Sequence, residues 1–301
     1  MTNFYFYNAY GLNIKSSIVF PELITINSKS DVIIHSNNFG SLCKNIYNTK
    51  TGFNKILFSP YDILYFLDSE PLFRVRNGKE IIINPETNID TVFLRYLILY
   101  QGFGTLLMQR GNLVLHASSI NIKDKAVAFL GWCGEGKSTI AAAMNKMNYS
   151  TITDDVLAIG FDKQNRPYAF PSFPRVKLCE DVSKYITTEM DVALPIIPEI
   201  EKYSYNVYKT FSVKPIPLET IYILKQNTKN QIISLKLQDA LIELIKNCYT
   251  INLFDDAKRS ENLNQCVELV KQIPIKCLER SQSLDGIWSL IQLIENDICS
   301  N

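Results

Sequence analysis

The chain has 301 residues, enough for one large domain or two small ones with a sizeable buried core. Its 31 basic residues nearly balance its 30 acidic residues, so the charge predicts neither a nucleic-acid-binding surface nor an acidic tail. Hydrophobic residues make up 47% of the chain and charged residues 20%, which is typical of a globular protein.

The cysteines and the apolar segments indicate the cellular compartment of the protein. The seven cysteines are odd in number and form no CxxC pair, which argues against a disulfide framework or a zinc knuckle and favours free thiols in a reducing cytosol. The N-terminus lacks the basic and apolar regions of a signal peptide. The longest apolar stretch, residues 92–108, is interrupted by Arg95 and Gln101 and is shorter than the roughly 20 residues of a membrane span. We therefore predict a cytoplasmic protein without a membrane partner.

Residues 1–110 are predicted to form a β-rich subdomain that ends in a helix. Short apolar or alternating runs separated by turn residues indicate antiparallel strands over residues 1–90. Among the turns, Asn77-Gly78 is a strong hairpin signal. The apolar residues then change to helical spacing, at Val92, Tyr96, Leu99 and Phe103.

Residues 111–230 are predicted to form the core of the protein, followed by a helical segment over residues 231–301. The core pattern predicts strands at 113–122, 126–130, 151–159 and 220–224, a helix at 137–147, a loop at 162–175 and irregular structure at 183–217. Amphipathic helices are predicted at 237–249, 260–272 and 284–296.

The segment Gly131–Thr139 matches the phosphate-loop pattern G-x-x-x-x-G-K-[ST], between an apolar strand and a strong helix. Its glycines let the backbone wrap around phosphate oxygens, and consecutive N–H groups at a helix N-terminus form an anion-binding nest. Lys137 would neutralise the β- and γ-phosphates, and Ser138 would bind Mg²⁺. The residues predicted to bind ATP or another nucleoside triphosphate are Gly131, Gly134, Glu135, Gly136, Lys137, Ser138 and Thr139.

Four further residues are candidates for the same site. Asp154 and Asp155 end the strand that follows the helix, and adjacent strand residues face opposite sides, so one could act as a base and the other as a metal or structural partner. His116 lies on the strand before the phosphate-loop strand, where a buried structural histidine is the alternative. Arg175 follows a proline-rich loop and is either a fork for phosphate or carboxylate or a solvated surface residue.

Several motifs, and their order along the chain, resemble those of the HPr kinase-like serine kinases. The motifs are His116-Ala117-Ser118, Gly131–Thr139, Asp154-Asp155 and Pro171–Leu178. The likeness is to the branch found beside biosynthetic clusters for ribosomally made peptides, including lasso peptides. Supporting segments are Tyr10-Gly11-Leu12, Pro21-Glu22-Leu23, Leu106–Gly111, Pro215–Leu218 and Ile221–Leu224.

This resemblance implies an α/β fold with the P-loop core shared by HPr kinase and phosphoenolpyruvate carboxykinase. It implies transfer of a phosphoryl group from ATP, with Mg²⁺, to a serine of a peptide or protein, and a homo-oligomer. Carried over by position, Asp154 is the general base, Asp155 is its partner and a metal ligand with Ser138, and His116 and Lys137 lie near the phosphates.

Two departures from the family pattern concern the substrate. HPr kinases have Glu where this chain has Thr139, and their Arg- and Gly-rich downstream signature has no counterpart here. Both argue against HPr as the substrate and against a reverse phosphorylase activity. The alternatives are a kinase of a small hydroxylated metabolite and a non-catalytic nucleotide-binding regulator.

Overall fold

The computed structural model describes residues 3–39, 53–68, 70–186, 194–197, 200–249, 256–281 and 283–300. The chain divides into two compact units. The first unit comprises Met1–Asn112 and Thr250–Ser260, and the second comprises Leu113–Tyr249 and Glu261–Asn301.

Residues 3–112 of the first unit, where the structure describes them, form one mixed sheet and one helical segment. Its elements are β1 (Tyr5–Ala9), β2 (Leu12–Ser16), β3 (Ile24–Thr25), β4 (Val32–Ser36), β5 (Phe53–Ser59), β6 (Asp62–Leu67), β7 (Glu70–Arg76), β8 (Glu80–Ile83), α1 (Thr91–Leu97), a π-helical turn (Ile98–Gly102) and α2 (Phe103–Gln109). The strand order is β3-β1-β2-β4-β8-β7-β6-β5. The prediction of an antiparallel sheet is wrong at two pairings, because β4 runs parallel to both β2 and β8.

The hairpin predicted at Asn77-Gly78 joins β7 to β8, which pair in antiparallel register. Asn77 has φ 54° and Gly78 has φ 61°, and Lys79 N–H donates to the Arg76 carbonyl across the turn. Two consecutive positive φ values suit Asn and Gly, and they match the right-handed twist of the flanking strands. The local sequence therefore determines this turn.

The helical segment Thr91–Gln109 has 19 residues and is the one stretch among the described residues with the length and composition of a membrane span. Its most apolar window is 67% buried inside the protein. Burial of this kind is typical of a core helix.

The second unit contains the remaining strands and helices, except that the first residues of α6 are assigned to the first unit. Its elements are β9 (Leu113–Ile122), β10 (Lys125–Leu130), α3 (Lys137–Lys146), β11 (Ser150–Thr153), β12 (Val156–Phe161), β13 (Pro167–Phe170), β14 (Arg175–Cys179), α4 (Glu180–Ile186), β15 (Leu194–Ile197), β16 (Ile200–Asn206), β17 (Ile216–Gln226), β18 (Gln231–Ser234), α5 (Leu237–Lys246), α6 (Asp256–Gln272), β19 (Ile275–Arg280) and α7 (Ile287–Cys299).

Several of these elements differ from the sequence-based prediction. The predicted loop at 162–175 contains β13, the region predicted as irregular contains β15 and β16, and the C-terminal segment contributes two strands besides its three helices. Some of these strands pair with segments distant in the chain, and others are bordered by proline. For example, β13 begins at Pro167 and pairs with both β12 and β17. Proline is tolerated at the first residue of a strand, so its presence did not indicate a loop here.

One long strand, β9, brings the central segments together. The main sheet has the order β10-β9-β12-β13-β17-β19-β18, and β10 also pairs with β17, which closes a ring of five strands. In β9, Ala117 pairs with Leu130 at the end of β10, and the preceding residue, His116, pairs with Val156 at the start of β12. The loop after Leu130 and the two residues before Val156 therefore lie beside each other.

The C-terminal end of α3 is tied to β11 by Asn145. The side-chain amide nitrogen of Asn145 lies 3.0 Å from Thr151 Oγ1 and 2.8 Å from Thr210 Oγ1, and Thr210 Oγ1 donates to Asn145 Oδ1. Asn145 and Thr151 are buried, so water does not replace these bonds easily. The contact fixes the helix after the phosphate loop against the strand that leads to Asp154.

We predict that Asn145→Ala lowers the free energy of unfolding by about 2–3 kcal/mol, because the buried hydroxyl of Thr151 and the half-buried hydroxyl of Thr210 lose their partner. Urea unfolding followed by circular dichroism measures the change. The control is Lys146→Ala, an exposed position on the same helix, for which we expect a change within about 0.5 kcal/mol. Equal effects of the two substitutions would contradict the role given to Asn145.

Candidate functional site

The phosphate-loop segment forms a turn between the end of β10 and the start of α3. Gly134 has φ 89° and Gly136 has φ 93°, in the left-handed region that glycine adopts without strain. Gly136 is the residue that precedes the first turn of α3, so the unpaired N–H groups and the positive end of the helix dipole open onto the loop. This is the backbone arrangement that binds phosphate.

The Lys137 ammonium is folded against its own loop. Its Nζ donates to the carbonyls of Gly131 at 2.7 Å and Trp132 at 3.1 Å, and the residue is 6% exposed. Burial lowers the pKa of Lys137, an effect that Asp155 and Asp154 oppose. Both hydrogen-bond partners are neutral carbonyls, so a phosphate oxygen would bind the ammonium more strongly.

Asp154 lies between β11 and β12 and is the buried centre of a hydrogen-bond network. Its Oδ1 accepts from the hydroxyls of Ser118 at 2.6 Å and Ser138 at 2.8 Å, and its Oδ2 accepts from the backbone N–H of Lys177 at 2.8 Å. Burial and the neighbouring Asp155 raise the pKa of Asp154, while Lys177 and Ser118 oppose the rise. The carboxylate thus joins β9, α3 and β14.

Asp155 forms an ion pair with the Lys177 ammonium, and its Oδ1 lies 3.9 Å from Nδ1 of His116. Burial alone would raise the pKa of Asp155, but Lys177 and His116 outweigh it and hold the pKa at about 2. The carboxylate is therefore ionised at neutral pH. Its side chain remains 22% exposed, in contrast to the enclosed Asp154.

The expectation that the two aspartates face opposite sides of a strand is wrong. The predicted strand at 151–159 is broken at Asp154-Asp155, where Asp155 adopts φ 79°. This left-handed residue removes the strand alternation. Both carboxylates therefore contact the same residue, Lys177, one through its backbone N–H and the other through its ammonium.

His116 packs against the backbone of Asp155. Its Nδ1 lies 3.1 Å from the Asp155 carbonyl oxygen, which can only accept, so Nδ1 carries the proton and Nε2 keeps its lone pair. Burial lowers the pKa of His116, Asp155 opposes this, and the positive charge of Lys137 adds to it. The ring is therefore neutral at pH 7.

The Glu135 side chain turns back over the loop. Its Oε2 accepts from the Trp132 N–H at 2.6 Å, and a Cβ added at Gly131 would lie 2.1 Å from the same oxygen. One N–H donor of the loop is thus taken by an internal carboxylate. A bound phosphate would meet this negative charge.

Sequence reasoning found most of these residues but not all of their partners. The structure brings Lys137, Ser138, Asp154, Asp155 and His116 together, and it places Thr139 in the first turn of α3. Arg175 begins β14, two residues before Lys177 and so on the same face of that strand.

The sequence assigned no role to Ser118, Lys177 or Arg280. Ser118 and Lys177 lie within motifs that the resemblance had singled out, so their positions carried a signal. No sequence signal pointed to Arg280. It is the last residue of β19, and its Nη1 donates to the carbonyl of Glu135, 145 residues earlier in the chain, at 3.2 Å.

The described residues contain no group of three or more His, Cys, Asp or Glu side chains placed to hold a metal ion. Two oxygen donors beside the loop that lie close enough to bind one hard cation together are the Ser138 hydroxyl and the Asp154 carboxylate. Such a set suits Mg²⁺, which is usually held by one or two protein oxygens together with phosphates and water.

Comparisons with known proteins identify no family for the chain. No family model matches it. No curated protein matches it either. Among solved structures, it is similar to the HPr(Ser) kinase/phosphatase from Coxiella burnetii, with a TM-score of 0.34 and 11% identity over 62% of this chain and 97% of that chain.

Proposed function

We propose that the protein is an ATP-dependent kinase that transfers a phosphoryl group to a serine hydroxyl of a peptide or protein. One observation carries the proposal: the Ser138 hydroxyl, in the first turn after the phosphate loop, donates to the buried Asp154 carboxylate at 2.8 Å. This bond joins an anion-binding backbone to a pair of carboxylates. Phosphoryl transfer requires both parts side by side, because its catalysis consists mainly of positioning and charge neutralisation.

In this proposal, the loop holds the phosphate chain of ATP. The backbone N–H groups around Gly134 and Gly136 and the N-terminus of α3 bind phosphate oxygens. Lys137 leaves the loop carbonyls and neutralises the outer phosphates.

The donor geometry fits Mg²⁺ at Ser138 and Asp154. Ser138 Oγ and Asp154 Oδ1 are hard oxygen donors side by side, 2.8 Å apart, and together they would hold the ion. We therefore propose Asp154, and not Asp155, as the carboxylate beside the metal. The ion would neutralise charge on the transferred phosphoryl group.

Asp155 is then the group that receives the proton. It is more exposed than Asp154, and Lys177 orients it. As the bond from the γ-phosphorus to the bridging oxygen breaks and the bond to the serine oxygen forms, the serine proton passes to Asp155 and ADP leaves. A weak base suffices, because the transition state is largely dissociative. This division of roles reverses the one implied by the resemblance.

The acceptor follows from the resemblance, which points to a peptide serine such as that of a ribosomally made precursor. Intact-mass analysis after incubation with MgATP, serine-containing peptides and free serine tests it. We expect one added phosphate on a peptide and none on free serine. Phosphorylation of small molecules alone would indicate a metabolite kinase, and ATP binding without transfer would indicate a regulator. The cytoplasmic location and self-association stay predictions.

We predict that Asp154→Asn lowers the rate of phosphoryl transfer by about 100-fold or more, because the hydroxyls of Ser118 and Ser138 and a metal lose their anionic partner. A coupled assay of ADP release measures the rate. The matched control is Asp124→Asn, at an exposed turn position with φ 62° that Asn also tolerates. Transfer by Asp154→Asn at the rate of this control would reject the assignment.

We predict that Glu135→Gln binds MgATP about fivefold more tightly, roughly 1 kcal/mol, because it removes a negative charge beside the triphosphate. The amide oxygen still accepts from the Trp132 N–H, so the loop keeps its shape. Isothermal titration calorimetry measures the affinity, and Glu219→Gln, away from the loop in β17, is the control. Unchanged or weaker binding by Glu135→Gln would show that the carboxylate does not oppose the nucleotide.

A further inference from the structure

Arg280 lies beside the phosphate loop because of the register of three parallel strands. Leu130 in β10 is level with Ile223 in β17, and Ile223 is level with Cys277 in β19. Arg280 comes three residues after Cys277, which places it about 10 Å beyond that row at 3.3 Å per residue. Arg280 therefore lies beyond the carboxyl ends of these parallel strands, at the end where the phosphate loop follows Leu130.

The guanidinium of Arg280 lies against the turn that begins α3. Its Nη1 donates to the Glu135 carbonyl at 3.2 Å, and a Cβ added at Gly136 would lie 1.7 Å from the same nitrogen. The φ of 93° at position 136 favours glycine, and the absence of a Cβ there leaves room for this arginine. The residue is 7% exposed, so the contact is part of the packed structure.

The Arg280 guanidinium brings a positive charge to the phosphate loop. Burial lowers the pKa of Arg280, yet a guanidinium keeps its proton in proteins, so a positive charge is enclosed beside the loop. Two of its hydrogen bonds go to neutral carbonyls, those of Glu135 and Ser281. Charge-assisted bonds to phosphate oxygens are stronger, and the planar fork of arginine matches their geometry.

We propose that Arg280 is a second cationic contact for the phosphate chain of the nucleotide, reaching the loop from β19 while Lys137 reaches it from α3. The inference rests on the proposed nucleotide binding. It assigns a phosphate-positioning role to a residue at the far end of the chain, outside the phosphate-loop motif. The ligand class is the di- or triphosphate of a nucleotide.

Calorimetric titration of the full chain with MgATP at several salt concentrations tests this role. We expect Arg280→Gln to bind MgATP about 10- to 100-fold more weakly than the wild type, as for the loss of a charged hydrogen bond. Its affinity should also fall less steeply with salt, because one screened charge pair is gone. Arg280→Lys keeps the charge, so it should lose less affinity and keep the salt dependence.

The control is Arg166→Gln, an exposed arginine paired with Asp162 in the same unit, which should bind MgATP like the wild type. Unchanged affinity of Arg280→Gln would overturn the inference. Weaker binding with an unchanged salt dependence would also overturn it, because the arginine would then only brace the Glu135 carbonyl. If Arg280→Gln does not fold, Arg280→Met, which removes the charge and keeps an apolar stem, takes its place, and wild-type affinity for that variant overturns the inference.

The wild type provides the separate test of the underlying function. If it shows no affinity for MgATP, the proposed kinase function fails. If it binds MgATP and the Arg280 variant that lacks the charge binds equally well, only the role of Arg280 fails.

Discussion

The buried carboxylate of Asp154 accepts hydrogen bonds from three segments that are distant in the sequence: the Ser118 hydroxyl of β9, the Ser138 hydroxyl of α3 and the Lys177 backbone N–H of β14. Burial of a charged group is costly unless it is fully hydrogen-bonded, and burial here raises its pKa. The three donors offset that cost. The carboxylate can therefore hold the phosphate-loop helix against two strands in one arrangement.

Strand pairing of the backbone brings the segments of this contact together. Adjacent residues of β9, His116 and Ala117, pair with the start of β12 and the end of β10, so the aspartate pair and the phosphate loop meet at one point of the sheet. Asn145 then fixes the far end of α3 to β11. The site is thus held at both ends of the helix that follows the loop, which limits how far Ser138 can move from Asp154.

Several charged side chains lie around the loop. Lys177 neutralises Asp155 and holds its pKa at about 2. Lys137 and Arg280 are enclosed cations beside neutral carbonyls, and Glu135 places an anion on a loop N–H. In the proposed kinase, the phosphates of ATP would bind the two cations and displace the Glu135 carboxylate. In this proposal, the same residues account for the affinity for ATP and for the position of the transferred phosphoryl group.

The sequence by itself determined the features that depend on neighbouring residues. The phosphate loop, the Asn77-Gly78 turn and the three C-terminal helices were predictable because propensity, spacing and turn chemistry act within a few residues. The tertiary structure alone decided that β4 pairs in parallel, that Lys177 binds both aspartates, and that Arg280 reaches Glu135 across 145 residues. Such contacts depend on the register of strands far apart in the chain, and no local pattern encodes that register.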